Sequence, residues 1–80
     1  MTPRRLPAIA ALRRYADAVR AWSEYNIAQN ATGAGWLTEE WERLDSEYQE
    51  ASAAVPRWLA APIRWRIFRR LDYFRWTGQA

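Results

Sequence analysis

From Ala8 onward, seam residues recur at alternating intervals of four and three: Ala8, Leu12, Tyr15, Val19, Trp22 and Asn26. At 100° per residue they share one stripe of a helix, which Ile9 and Ala16 widen. Asp17 falls within reach of Arg13, Arg14 and Arg20, and Arg20 precedes Glu24 by four, so local surface ion pairs are expected on this helix. The pattern ends at Asn30-Ala31-Thr32-Gly33-Ala34-Gly35, a run suited to a C-cap and a turn. It resumes with Leu37, Trp41, Leu44, Tyr48, Ala51 and Val55, again spaced four and three. These fill an arc of roughly 80°, and every acid of the segment lies outside it. Thr38 is placed to cap this second helix, and Glu39 and Glu40 fall where the helix dipole favours negative charge.

Two prolines punctuate the remainder of the chain. Pro56 disfavours a helical residue before it, so the second helix is expected to stop near Ala54. Pro62 suits the first position of a third helix reaching Trp76, with Gly78 as a stop. A single kinked helix starting at Pro56 is the other arrangement the prolines allow. In the third helix Ile63, Ile67, Leu71 and Phe74, flanked by Phe68, form an apolar arc. Arg66, Arg69, Arg70 and Tyr73 form a basic arc, with Trp65, Asp72 and Trp76 between the two. The expected fold is all-α: one domain spanning residues 1–80, in which an antiparallel hairpin (about 8–30 and 38–54) is closed by a basic third helix (about 62–76). Residues 1–7 read as a short basic arm. Asn26 falls in the hairpin seam near its turn end, where a polar group can fix register.

Composition narrows the chemistry. Eighty residues make one domain whose core alone gives modest stability. Cysteine and histidine are absent, which leaves no disulfide, no thiol nucleophile and only carboxylates to bind a metal. The acids of the second helix spread around its solvent side and lack the spacing of a calcium loop. Gly33 and Gly35 make no phosphate loop. An enzyme, a cofactor and a metal are therefore not expected. The apolar stretch Leu6–Leu12 is too short for a secretion signal and runs into Arg13-Arg14. No segment approaches the ~18 apolar residues of a membrane span, so the expected compartment is the cytoplasm.

Charge is sorted along the chain. Glu39, Glu40, Glu42, Asp45, Glu47 and Glu50 stand against Arg43 alone in the second helix. The last third carries Arg57, Arg64, Arg66, Arg69, Arg70 and Arg75 against Asp72 alone. All twelve basic residues are arginine, as a GC-rich bacterial or phage genome would encode. Arginine also forks onto carboxylate and phosphate and stacks on rings. Six tryptophans and four tyrosines exceed what so small a core can take. Trp36, Trp58, Trp65 and Trp76 have no obvious interior place.

Trp, Tyr and Arg are the residues that anchor interfaces. The function expected is therefore non-enzymatic binding of a macromolecule, first a protein, in an accessory, assembly or inhibitor role. The candidate contact residues are Arg57, Trp58, Arg64, Trp65, Arg66, Arg69, Arg70, Tyr73 and Trp76. A second reading gives the same helix to nucleic acid, with Arg4 and Arg5 extending the phosphate contact. A third gives it to a membrane surface. The narrow seam of the second helix makes a homo-oligomer a further expectation. Against all of these stands internal neutralisation, in which Arg66, Arg69 and Arg70 meet Glu42, Glu47 or Glu50 and the charge sorting serves folding alone.

Overall fold

The structure, a computed structural model, describes residues 8–32 and 38–77. Among these it has four helices and no strand: α1 (Ile9–Thr32), α2 (Glu39–Ala53), α3 (Arg57–Leu71) and α4 (Tyr73–Thr77). The basic arm, Trp36, Leu37, the glycines of the turn and Gly78 lie outside the described residues.

Capping sets the ends of α2 as the sequence predicts. The Thr38 hydroxyl accepts from the Trp41 backbone N–H at 3.1 Å, and three acids occupy the first turn. The helix closes at Ala54, ahead of Pro56. At its start the third helix takes the second of the two arrangements the prolines allow, and at its end it stops short of the expected Trp76. It begins at Arg57, with Pro56 as its N-cap, and Pro62 lies inside it. Pro62 removes one backbone hydrogen bond, but its ring sits on the solvent side of α3. The helix then stops at Leu71. Asp72 adopts the left-handed conformation (φ 54, ψ 43), and its N–H closes back onto the Arg69 carbonyl at 3.3 Å. Aspartate tolerates that region better than most residues with a Cβ, so the break needs no glycine.

Contacts fix the directions. Trp22 meets Tyr48, Asn26 meets Trp41 and Arg14 meets Glu47, so α2 runs antiparallel to α1. Tyr15 reaches Ala60, Asn26 reaches Tyr73 and Asn30 reaches Trp76, so α3 and α4 run parallel to α1. The first helix is the common partner, packed against α2, α3 and α4. That explains its breadth of burial. Tyr15, Val19 and Asn26 face the seam, while Ala18 and Ser23 are buried to either side.

The core consists of Tyr15, Ala18, Val19, Ala51, Val55, Ala60, Ile67, Phe68 and Tyr73. Each large apolar member contributes about 1.5–3 kcal/mol by leaving water. Phe68 and Tyr73 stack at 4.4 Å with ring planes 14° apart, and Trp22 stacks on the other side of Tyr73 at 6.0 Å.

A polar hub joins three of the helices. Asn26 is wholly buried. Its side-chain carbonyl accepts from the Trp41 indole at 3.1 Å, and its NH₂ donates to the Tyr73 hydroxyl at a long 3.5 Å. The seam asparagine is thus tied to α2 and α4 together. Burial and contact with Tyr48 push the Tyr15 hydroxyl up to about 12, and Tyr15 donates to the Ala60 carbonyl at 3.4 Å.

Candidate functional site

The rotation of α3 about its axis is set by what it buries. Ala60, Ile67 and Phe68 face the core, with Ile63 and Leu71 half-buried beside them. At 100° per residue this turns Trp58, Pro62, Trp65, Arg66, Arg69 and Arg70 outward. Pro62, Ile63, Trp65, Arg66, Arg69 and Arg70 line an open groove of about 750 Å³. A second groove, of about 360 Å³, joins this face to α1 through Ala16 and Arg20.

No acid among the described residues comes within ion-pair distance of Arg20, Arg66, Arg69 or Arg70. Internal neutralisation of the α3 arginines is therefore not what the structure shows. The acids proposed for it are engaged elsewhere or face away. Arg14 of α1 forks onto Glu47 at 2.7 and 3.1 Å and reaches Glu50 at 3.2 Å. That bond and charge hold the Glu47 carboxyl below its ordinary range and raise Arg14. The expected local pairs of Asp17 and of Arg20 with Glu24 do not form either. Arg14 looks across to α2, which packs beside it.

The nine sequence-predicted contact residues divide. Trp58, Trp65, Arg66, Arg69 and Arg70 share the outer face, and Arg57 stands exposed at its N-terminal end. Trp65 is half open to water, with its other side held by Phe74 at 5.3 Å and Phe68 at 6.4 Å. It is a supported indole on a rigid base.

Arg64 leaves the set. It is half-buried and turned toward α2, where hydrogen bonding to Tyr48 raises its pKa. Tyr73 leaves it too, buried at 4% exposure. An unbroken helix would carry Tyr73 to the arginine face, but the turn at Asp72 re-aims it onto Phe68. Burial raises its hydroxyl pKa, and the Asn26 bond partly offsets this. Trp76 sits apart on α4. Its ring is half-exposed beneath the Arg75 guanidinium at 5.5 Å, and its carbonyl accepts from Asn30. Arg75 in turn pairs with Asp72 at 3.6 Å.

Arg20 is the member that sequence reasoning missed. Its signal is Ala16 one turn earlier, a small residue that lets α3 approach α1 closely enough for Arg20 to join Arg66 and Arg70. The face so assembled holds forked cations and an open indole. It can take anionic groups, with a flat or apolar group over Trp65. No helix among the described residues is long and apolar enough to cross a membrane. Comparison with known protein families, curated proteins and solved structures finds no match to this chain.

Proposed function

We propose that this chain is a non-enzymatic binding module that holds a protein partner with an acidic surface against the outer face of α3, in an accessory, assembly or inhibitor role. One observation carries this reading. Arg20, Arg66, Arg69 and Arg70 stand together with no acid of the described residues paired to them, around the half-open Trp65. Arginines in that state have unspent charge-assisted hydrogen bonds, and aromatic anchors beside them give an interface its affinity. A photo-crosslinking residue placed at Arg69 should give a covalent adduct with the partner in cells. The same residue at Glu24, exposed on α1, should not. Equal labelling from both positions removes α3 from the interface.

A second reading, single-stranded nucleic acid, gains support from one structural fact. The basic face of α3 looks away from α2, so the acidic helix does not lie beside the path of a phosphate backbone. Binding of that kind weakens steeply with added salt, and a labelled oligonucleotide that shows no mobility shift at low salt excludes it.

A further inference from the structure

The arginines left unpaired on α3 have a counterpart within the same chain. On α2, Arg43 pairs with Glu40 at 3.7 Å, and Glu47 and Glu50 are held by Arg14. Glu39, Glu42 and Asp45 have no basic group of the described residues within ion-pair distance. They follow one another at three-residue intervals, a rise of about 4.5 Å per step. Arg66 and Arg69 repeat at the same interval, with Arg70 beside them. The two sets cannot meet inside one molecule. α1 carries α2 on one flank, and on the other Arg20 lines a groove with Arg66 and Arg70.

We propose that the occupant of the α3 face is α2 of a second copy of this chain, which docks Glu39, Glu42 and Asp45 on Arg66, Arg69 and Arg70. This rests on the reading of the α3 face as a protein-binding surface. Charge complementarity selects the second copy over a phosphate backbone. The chain's net charge is only +3, and a row of three unpaired acids on α2 matches in number the three unpaired arginines on α3.

Two different surfaces meet in this contact. One docking event therefore leaves a free α3 face at one end and a free α2 face at the other. Association then continues beyond a dimer, or ends by closing a ring, the smallest of which is a two-fold dimer in which both contacts form.

The test is light scattering and sedimentation of the full chain over a range of concentrations, at about 20 mM and about 500 mM salt. The expected result is a mass that rises above the monomer with concentration at low salt, to a closed dimer or beyond, and returns to monomer at high salt. Two double variants separate the surfaces: Arg66→Glu with Arg69→Glu, and Glu42→Arg with Asp45→Arg. Each alone should weaken association about 100-fold, since like charges then face each other. Mixed in equal amounts, they should associate again, because each supplies the charge the other has lost. Circular dichroism checks that helicity is kept, and the neutral pair Arg66→Gln with Arg69→Gln replaces a reversal that unfolds.

A chain that stays monomeric at low salt overturns the proposal, as does association that neither reversal disturbs. If the monomer instead binds a labelled single-stranded oligonucleotide, and Arg66→Glu with Arg69→Glu abolishes that binding, the second copy is wrong while α3 remains a binding face.

Discussion

Asn26 is the residue whose removal most directly tests how the helices are held in register. It is fully buried and hydrogen-bonds to both the Trp41 indole and the Tyr73 hydroxyl. Asn26→Ala loses a 3.1 Å bond worth about 1 kcal/mol and a 3.5 Å contact worth less, and it opens a small cavity costing about 1 kcal/mol. Trp41 is half-buried, so water recovers part of its loss. The expected cost is about 2–3 kcal/mol, set against a total of about 4–12 kcal/mol for a domain of this length. With a urea slope near 1 kcal/mol per molar, the midpoint should fall by about 2–3 M.

Asn26→Leu separates packing from polarity. Leucine fills the space but leaves the Trp41 N–H and the Tyr73 hydroxyl without their partner. It should still cost about 1–2 kcal/mol. Combined with Trp41→Phe, it should show a coupling of at least about 0.5 kcal/mol. Equilibrium unfolding followed by tryptophan fluorescence measures all of these. If Asn26→Leu is as stable as the parent and uncoupled from Trp41→Phe, the hub does not set the register.

The Arg14–Glu47 pair should shape the acid limb of stability. Because Glu47 ionises more readily folded than unfolded, its contribution is present above the ordinary value of 4.5 and is lost as pH falls through the lower folded value. Arg14→Gln should flatten the stability profile below that pH, and thermal melts that keep the same acid slope contradict the assignment. At Asp72 the left-handed backbone makes a sharp distinction between residues. Asp72→Val should cost about 1–2 kcal/mol and Asp72→Gly should be neutral or mildly stabilising, read as changes in Tm. Equal melting of the two variants would mean that the turn is not held as described.

Local chemistry was legible in the sequence, and tertiary choice was not. Thr38 with its following acids marks the start of α2, and Pro56 marks its end, because capping and proline sterics act within a few residues. Spacing gives the middle of the α1–α2 seam, but Ala8 and Ile9 at its start prove exposed, and Leu37 lies outside the described residues. Pro62 leaves open whether α3 starts there or runs through it from Pro56, and that choice depends on which side of α3 packs. The break at Asp72 leaves no glycine to signal it, and with it go the placement of Tyr73 and the true extent of the basic face. Arg14 has Asp17 one turn away on its own helix, yet it pairs with Glu47 and Glu50 on α2. A contact between elements cannot be read from neighbours in sequence.

Binding face and core are two sides of one constraint in α3. The Phe68–Tyr73 stack and the burial of Ile67 and Ala60 fix the rotation of that helix, and the rotation decides which arginines look outward. The left-handed residue at Asp72 sustains this by letting Tyr73 enter the core without extending α3, and Asn26 holds Tyr73 from the far side. Phe68→Ala should therefore do more than cost about 3–5 kcal/mol of core packing. It also removes the ring that supports Trp65 from below. In a variant stabilised enough to stay folded, the indole loses its fixed pose, and partner affinity falls although no contact residue has been changed. Trp65 fluorescence anisotropy, read in a chain whose other tryptophans are replaced by phenylalanine, should drop with the Phe68 ring gone. An anisotropy that holds at the parent value would mean that Phe74 alone fixes the indole, and that core and face are independent.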